Sequence, residues 1–436
     1  MGANSVFAGG RKVAKLARSF AVATALTSVA VAGTADAQNR RDREREQERA
    51  PQAEYTEAFV TAYNAVKAVT DSGAAEFSAA RPMVPALVAS VTNGDERSAA
   101  GNILLVVGQN LRDPALQRQG IELMLASGTV SPEAQPQYHY YVGNFALQMR
   151  DYVGGRAALR QAIALGYTPA GAASDPALDP RTQVLQSLFL EENFAELISS
   201  ADEFVTAAGD TQVPELWLTY GLQGAIDTEN AEAALRFSQP LVRYYPTTRN
   251  VRNAVRVITN LGNVDNGPVL ADAQRLLFAA NAMTDRRDYA DYIASIDSRL
   301  MANETLRVLD RAKTSGVLPQ SDEYYAAEFA VANERAPSER RDAPGLLADA
   351  RSSASGREAY EAGEIYLSLG EYAQAEALYA MALEKGSTDR NRDLTRLGIA
   401  QFNQGKKAEA QATFAQVEGD RAALAALWVA YIASQG

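Results

Sequence analysis

The amino-acid sequence predicts an all-α protein that is built from many short helices packed in pairs. From Tyr55 onward, apolar residues such as Phe59, Tyr63 and Val66 recur at helical spacing. Proline and glycine gather between the helical segments, and no stretch shows the sustained apolar–polar alternation of a β-strand. With 436 residues, the chain is too long for one ordinary compact core. The length therefore fits two or three domains or one elongated array of helices.

An internal repeat is clearest near the C-terminus. When the segment from Arg357 to Ser387 is moved along the chain by 35 residues, small residues meet small residues and an aromatic residue meets an aromatic one. The superposed positions are Gly363 and Gly398, Gly370 and Gly405, Ala375 and Ala410, and Tyr379 and Phe414. Such a fixed period indicates stacked copies of one supersecondary unit.

This pattern resembles the tetratricopeptide repeat, a helix–turn–helix unit of about 34 residues with small residues where its helices cross. Gly363 and Ala375 stand at the small positions of the family, and Tyr379 stands at an aromatic one. Ala359 and Ser387 depart from the usual tryptophan and the closing proline. The resemblance implies a tetratricopeptide-like α-α superhelix, or solenoid, in which Gly363 and Ala375 let two helices approach and Tyr379 fills the space toward the next repeat.

Looser matches to this repeat lie upstream. They comprise Gly143, Tyr152, Leu159 and Ala162 in one segment and Trp217, Gly221, Ala233 and Phe237 in another. Segments 180–210, 249–282 and 286–318 fit helical pairs by their spacing alone. The final segment, from Arg421 to Ser434, resembles the capping helix that ends such an array.

The sequence divides into five parts. Residues 1–37 are predicted to be a secretory signal peptide, with a basic start, an apolar stretch and an Ala35-Asp36-Ala37 cleavage site. Residues 38–54 are a charged flexible leader, 55–332 a degenerate helical-repeat array, and 357–436 the C-terminal repeats with their capping helix. Between them, 333–356 is either a hinge or an irregular repeat. The chain thus resembles exported tetratricopeptide proteins of alphaproteobacteria, and we expect it in the periplasm.

Charge and residue types argue against several functions. A net charge of −11 repels phosphate backbones, so nucleic-acid binding is not expected. Cysteine is absent, which excludes disulfides, thiol nucleophiles and thiolate metal sites. The single histidine, His139, is expected to pack inside a repeat, and no catalytic motif or phosphate-binding loop occurs. We therefore expect no enzyme activity, no metal and no cofactor.

The resemblance also implies a partner-binding surface, the inner face of the first helix in each repeat. The expected contact residues are Gln137, Tyr140, Asn144 and Gln148 in one repeat, Arg357, Tyr360 and Glu364 in a second, and Arg392, Arg396 and Asn403 in the last. A polar groove with tyrosine and arginine side chains suits a protein or an extended peptide.

The expected function is a non-catalytic periplasmic scaffold for proteins or peptides, in envelope assembly or secretion. Two alternatives stay open. One is a self-assembling structural protein of the envelope, which would present an exposed apolar repeat end. The other is an enzyme that acts on cell-wall material, which would need a pocket with converging carboxylates.

Overall fold

The computed structural model describes residues 53–73, 77–209, 211–261 and 267–436. Throughout these ranges the regular elements are helices, and no strand occurs. The chain divides into two compact units, a first unit that ends at Asn193 and a second unit from Phe194 to Gly436. The predicted signal peptide, and all of the predicted leader except its last two residues, lie outside the described residues. The prediction of an all-α helical-repeat fold is confirmed.

The first unit contains helices α1 to α8. Their bounds are α1 Glu57–Asp71, α2 Phe77–Ala80, α3 Val84–Ala89, α4 Gly94–Leu111, α5 Pro114–Ala126, α6 Gln135–Gln148, α7 Tyr152–Ala164 and α8 Pro180–Leu190. Short 3₁₀ turns at Arg81–Met83 and Pro176–Leu178 precede α3 and α8. From α4 to α8, each helix packs against the next one along the chain.

The second unit contains helices α9 to α21. Their bounds are α9 Phe194–Ala208, α10 Glu215–Asp227, α11 Ala231–Tyr244, α12 Thr248–Leu261, α13 Gly267–Ala279, α14 Arg286–Ile296, α15 Ala302–Thr314, α16 Glu323–Ser352, α17 Gly356–Leu369, α18 Tyr372–Glu384, α19 Arg390–Asn403, α20 Lys407–Phe414 and α21 Ala422–Ala433. Consecutive helices pack against each other throughout this unit.

Local sequence explains where many of these helices begin and end. Asn93 and Glu96 form a capping box at the start of α4, in which each side chain bonds the backbone of the other residue. Asp322 caps α16 by accepting the backbone N–H groups of Tyr324 and Tyr325. At the end of α17, Gly370 adopts a φ of 76°, a left-handed conformation that glycine takes without steric cost.

Four helix pairs share one packing device. A Cβ added to Gly363 of α17 would lie 2.8 Å from the ring of Tyr379 in α18, and one added to Gly398 of α19 would lie 2.8 Å from the ring of Phe414 in α20. The same relation joins Gly143 to Leu159 and Gly221 to Phe237, always with the larger residue 16 positions after the glycine. The structure thus corrects one expectation. The ring of Tyr379 fills the gap over Gly363 within its own repeat, because the absent glycine side chain leaves that space.

Most of the segment 333–356 is helical, and three residues, 353–355, separate helix α16 from helix α17. Residues Glu323–Ser352 form one helix, α16, which runs through Pro337 and Pro344 and contacts both α15 and α17. Both prolines lie on the exposed side, while Ala336 and Ala343 are buried. The division between compact units lies instead between Asn193 and Phe194.

The C-terminal helix α21 does more than cover the end of an array. It packs against α20 and also against α11, α12 and α13 of the same unit. Contacts on several sides explain why its sequence, AALAALWVAYIA, is apolar all round. The second unit is therefore closed by its own last helix, and a single core cluster extends from Val242 to Ile432. Within the described ranges, no helix is long and apolar enough to cross a bilayer.

Candidate partner-binding groove

The four expected contact residues of the first unit lie on α6, and three of them are engaged within the protein. The buried Tyr140 donates its hydroxyl hydrogen to the Leu178 carbonyl at 2.9 Å. Asn144 is buried too and donates to the Tyr140 carbonyl at 2.8 Å, while Gln137 donates to the Tyr141 hydroxyl at 2.9 Å. Gln148 alone among the four is exposed. Tyr140 therefore links α6 to the turn before α8, whereas the hydrogen bonds of Gln137 and Asn144 stay within α6.

His139, also on α6, is partly buried. Burial lowers the pKa of its imidazole below the usual value, because a charged ring would lose hydration. Within the described residues, no group of three or more histidine, cysteine, aspartate or glutamate side chains is placed to hold a metal ion.

Two expected contact residues of the second unit, Tyr360 on α17 and Arg392 on α19, contact each other, and a third, Arg357, lies at the start of α17. Arg392 lies over the ring of Tyr360, with 3.3 Å between the guanidinium carbon and the ring centroid. Arg392 also donates to Asp393 at 2.8 Å. Burial, followed by the negative charge of Glu364, raises the pKa of Tyr360 to about 12. Arg357 is exposed and forms an ion pair with Glu361 at 2.7 Å.

Arg396 and Glu364 lie inside the second unit, in a buried ion network. Arg396 is only 2% exposed, and its guanidinium contacts both Glu364 and Asp272, the latter at 2.5 Å. Asp272 is fully buried and also accepts from Arg275 at 2.7 Å and from Arg421 at 2.6 Å. These contacts join α13, α17, α19 and the turn before α21. Arg396 therefore offers a partner very little surface, although it lines, with Tyr360 and Glu364, an open cavity of about 510 Å³.

The network continues from Arg275 to Glu304 on α15. Arg275 makes two parallel hydrogen bonds to the Glu304 carboxylate, each 2.8 Å long, and Tyr292 donates to the same carboxylate at 2.7 Å. With Glu304, the network pairs three carboxylates with three guanidinium groups, so its formal charges balance. Burial tends to raise the pKa of Asp272, but the three arginines around it, led by Arg396, hold that pKa below its usual value.

Asn403, the remaining expected contact residue, is exposed and faces an open groove of the second unit. The groove has a volume of about 800 Å³ and is formed by the end of α13, the outer side of α15 and residues from α16 to α19. We call it the α15 groove. Its lining includes Phe278, Asn303, Leu306, Arg307, Asp310, Arg311, Thr314, Arg340, Tyr372, Phe402 and Asn403.

Three arginines and one carboxylate, Asp310, line this groove; Arg340 pairs with Glu371, and the other two arginines, Arg307 and Arg311, lie on α15. Arg311 lies over the ring of Phe278, with 3.7 Å between the guanidinium carbon and the ring centroid, and donates to the Phe278 carbonyl at 2.6 Å. Arg307 donates to the carbonyls of Leu367, at 3.2 Å, and Ser368. Both arginines thus bond the carbonyl ends of helices, α13 and α17. Neither forms an ion pair with a carboxylate in the described part of the chain.

Sequence reasoning missed Arg307 and Arg311. Their segment, 286–318, lacks the glycine and aromatic positions of the repeat and was assigned by spacing alone. The sequence does show that the two arginines are four residues apart, a spacing that places both side chains on one face of a helix. That spacing does not reveal that the rings of Phe278, Tyr372 and Phe402 lie around the same groove.

Of the comparisons with known proteins, the one with solved structures found matches. No protein-family model matches the chain, and no curated protein does. Among solved structures, the chain is similar to one described as "Structure of Naa15/Naa10 bound to HypK-THB", with 14% sequence identity and a TM-score of 0.36. The match covers 80% of this chain and 56% of that one, so this chain spans little more than half of the solved chain's length. This identity and this TM-score are too low to support an argument about the fold. The assignment of a tetratricopeptide-like helical repeat therefore rests on the helix pairs of the structure itself.

Proposed function

We propose that this protein is a non-catalytic scaffold that binds an extended segment of another protein in the α15 groove. The observation that carries the proposal is the combination, in one open groove, of two arginines without carboxylate partners and three aromatic rings. Arginine and aromatic side chains provide large contact areas at a modest cost in side-chain entropy, and they dominate binding energy in many protein interfaces.

The chemistry of the groove suits an extended chain. Such a segment needs partners for its backbone carbonyls and N–H groups as it loses water. Arg307 and Arg311 donate to carbonyl or carboxylate oxygens, and the amides of Asn303 and Asn403 both donate and accept. The rings of Tyr372 and Phe402 give apolar contacts between these polar groups.

The place of action is a second part of the proposal. The basic start, apolar stretch and small-residue cleavage motif of residues 1–37 support export to the periplasm. A role in envelope assembly or secretion follows from that location and from a scaffold function. The absence of catalytic sequence motifs supports a non-catalytic role.

Substitution of one exposed residue, Asn403, tests whether partners bind in the α15 groove. In Asn403→Glu, a new carboxylate faces Arg307 and Arg311 and competes with the ligand, so we expect in-cell crosslinking to recover its partners at least tenfold less well than with the wild type. Gln148→Glu makes a comparable change on the exposed end of α6 and serves as the matched control. Circular dichroism checks that both variants are folded.

The two variants separate the competing functions. Loss of the same partners with Asn403→Glu and their retention with Gln148→Glu would support the α15 groove. Equal recovery with both variants would contradict binding there. Recovery of nothing except the protein itself, with every variant, would instead favour a self-assembling envelope protein.

A further inference from the structure

A second groove of the second unit has a different chemistry. It has a volume of about 500 Å³ and lies between α11 and α21, with walls that include Val205, Val213, Pro240, Val417, Ala426 and Val429. This volume lies within the range of small-molecule binding pockets, roughly 300–1,000 Å³. We call it the α21 groove.

One wall of the α21 groove is an apolar stripe of helix α21. Ala422, Ala426, Val429 and Ala433 recur at helical spacing and line the groove, and α21 carries no charged side chain. The stripe covers eleven residue steps, or about 16 Å at 1.5 Å per residue. The opposite face of the helix is buried by Leu424, Leu427 and Trp428. Helix α21 is apolar on all sides, and this stripe stays partly exposed to solvent in the described structure.

Among the described residues, Arg243 in the last turn of α11 is the single charged side chain that lines the α21 groove. Arg243 is exposed, and its guanidinium carbon lies 5.0 Å from the ring centroid of Tyr244. Within the described part of the chain it forms no ion pair, and no carboxylate side chain of those residues lines the groove. The apolar stripe of α21 and the cation of Arg243 thus offer complementary partners for an apolar chain and one anionic group.

We propose that the α21 groove binds a long-chain fatty acid, with its alkyl chain along α21 and its carboxylate at Arg243. A guanidinium group holds a carboxylate through two parallel hydrogen bonds, which fits a head group of this shape. An extended peptide is a poorer match, because about five residues would span 16 Å and bring about ten backbone polar groups. The lining offers few polar side chains to receive them, chiefly Thr211, Gln239 and Tyr244. An alkyl chain brings no such groups.

Titration of the purified full chain with dodecanoate, below its micellar concentration, tests this site. We expect saturable binding of one molecule by calorimetry. Ala426→Trp places a large ring in the groove, and Ala433→Trp does so at its exposed end; each should weaken binding at least tenfold. Ala412→Trp adds the same ring on an exposed site of α20 outside the groove and should leave binding unchanged.

A comparison with an uncharged ligand tests the role of Arg243. Arg243→Gln should weaken dodecanoate binding about tenfold and leave binding of dodecanol unchanged, because the alcohol makes no ion pair. Three results would overturn the proposal: no saturable binding to the wild type, equal binding by the wild type and both groove tryptophan variants, or binding of an apolar helical peptide in the groove without binding of dodecanoate. Thermal melts confirm that each variant is folded.

Discussion

Glu96 shows how single residues stabilise the first unit. Its side chain is fully buried at the start of α4, and its carboxylate accepts hydrogen bonds from the backbone and hydroxyl groups of Thr56 and Thr92 at 2.6–2.7 Å. Burial tends to raise the pKa of this carboxyl group, but the hydrogen bonds lower it to about 2. Because Thr56 precedes α1, the ionised carboxylate fixes α1 to α4.

Glu96→Gln should destabilise the first unit by about 2 kcal/mol at pH 7, because the amide accepts through one oxygen only and brings a donor to a site that already holds donors. Since the folded pKa lies below the unfolded value, the contribution of Glu96 is present above about pH 4.5 and is lost as the pH falls toward 2. Urea unfolding followed by circular dichroism at pH 7 and pH 3 measures both effects.

A flatter pH dependence in Glu96→Gln than in the wild type is the diagnostic result. Glu57→Gln changes an exposed glutamate of the neighbouring helix and should alter stability by less than about 0.5 kcal/mol. If both variants lost the same stability and kept the same slope with pH, the hydrogen-bonded carboxylate would not be the stabilising group.

At this scale, the sequence indicated which small and aromatic residues pack in a helix pair, although Tyr379 packs within its own repeat, and it did not indicate the burial of several charged residues. Gly363 and Tyr379 could be predicted because their roles depend on neighbours in the same helix pair. The burial of Arg396 could not, because its partner Asp272 comes from a distant helix. Arg421 is 149 residues from Asp272 in sequence. Local periodicity gives no information about such a pairing.

At the scale of helices, the repeated unit is a pair in which a glycine accepts a larger side chain 16 positions later. Helices that approach this closely have no space for an added methyl group, since protein interiors are densely packed. The pair formed by α17 and α18 allows a direct test, because the nearby helix α16 contains a glycine with the opposite environment. Gly345 is exposed, and a Cβ added to it would meet nothing within 4 Å.

Gly363→Ala should destabilise the second unit by about 1–3 kcal/mol, because its Cβ would meet the ring of Tyr379 at 2.8 Å. Gly345→Ala should stabilise the protein by about 0.5–1 kcal/mol, because alanine favours the helix and contacts nothing. The fluorescence of Trp217 and Trp428, both in the second unit, reports urea unfolding of that unit. Equal effects of the two exchanges would contradict close packing at Gly363.

Helix α16 shows how a segment with two prolines can remain helical. Proline removes a backbone hydrogen bond from a helix interior, so Pro337 and Pro344 suggested a break. The helix continues because one face buries Ala332, Ala336, Ala343 and Ala350 against its neighbours. Burial along this face extends past both prolines and offsets their cost.

Replacing either proline of α16 with alanine should therefore raise stability, by about 1–3 kcal/mol, because each exchange restores a backbone donor on an exposed face. Thermal and urea unfolding of Pro337→Ala and Pro344→Ala measure this change. A loss of stability in both variants would show that the prolines are required for the shape of the helix.

For the molecule as a whole, the main difference from expectation is the closure of the second unit. The sequence predicted an open array with a polar inner face, whereas Arg396 lies in a buried ion network at the base of an open cavity of about 510 Å³ that Tyr360 and Glu364 also line. Helix α21 returns to α11, α12 and α13, and Arg421 joins Asp272 just before that helix begins. Asn403 is the one of the ten expected contact residues that lines the α15 groove, while Tyr360, Glu364 and Arg396 line a separate cavity of the same unit.

Arg421→Met should destabilise the second unit by about 3–5 kcal/mol, because it removes one of the three cations around a fully buried carboxylate. Arg236→Met is a suitable control, since Arg236 pairs with Asp202 at the surface and should contribute less than about 1 kcal/mol. Tryptophan fluorescence during urea unfolding measures both variants. A cost for Arg421→Met no larger than that of the control would show that the network does not hold the closed unit together.

The central claim, that the α15 groove holds an extended segment of a partner, is tested most directly by site-specific photocrosslinking in cells. A photoreactive amino acid replaces Thr314, which is exposed in the groove, or Val153, which is 68% exposed in the first unit. We expect a discrete partner to be crosslinked at 314, through one short segment, and to disappear when Asn403→Glu is added. Equal crosslinking at 153 and 314, unchanged by Asn403→Glu, would contradict the claim.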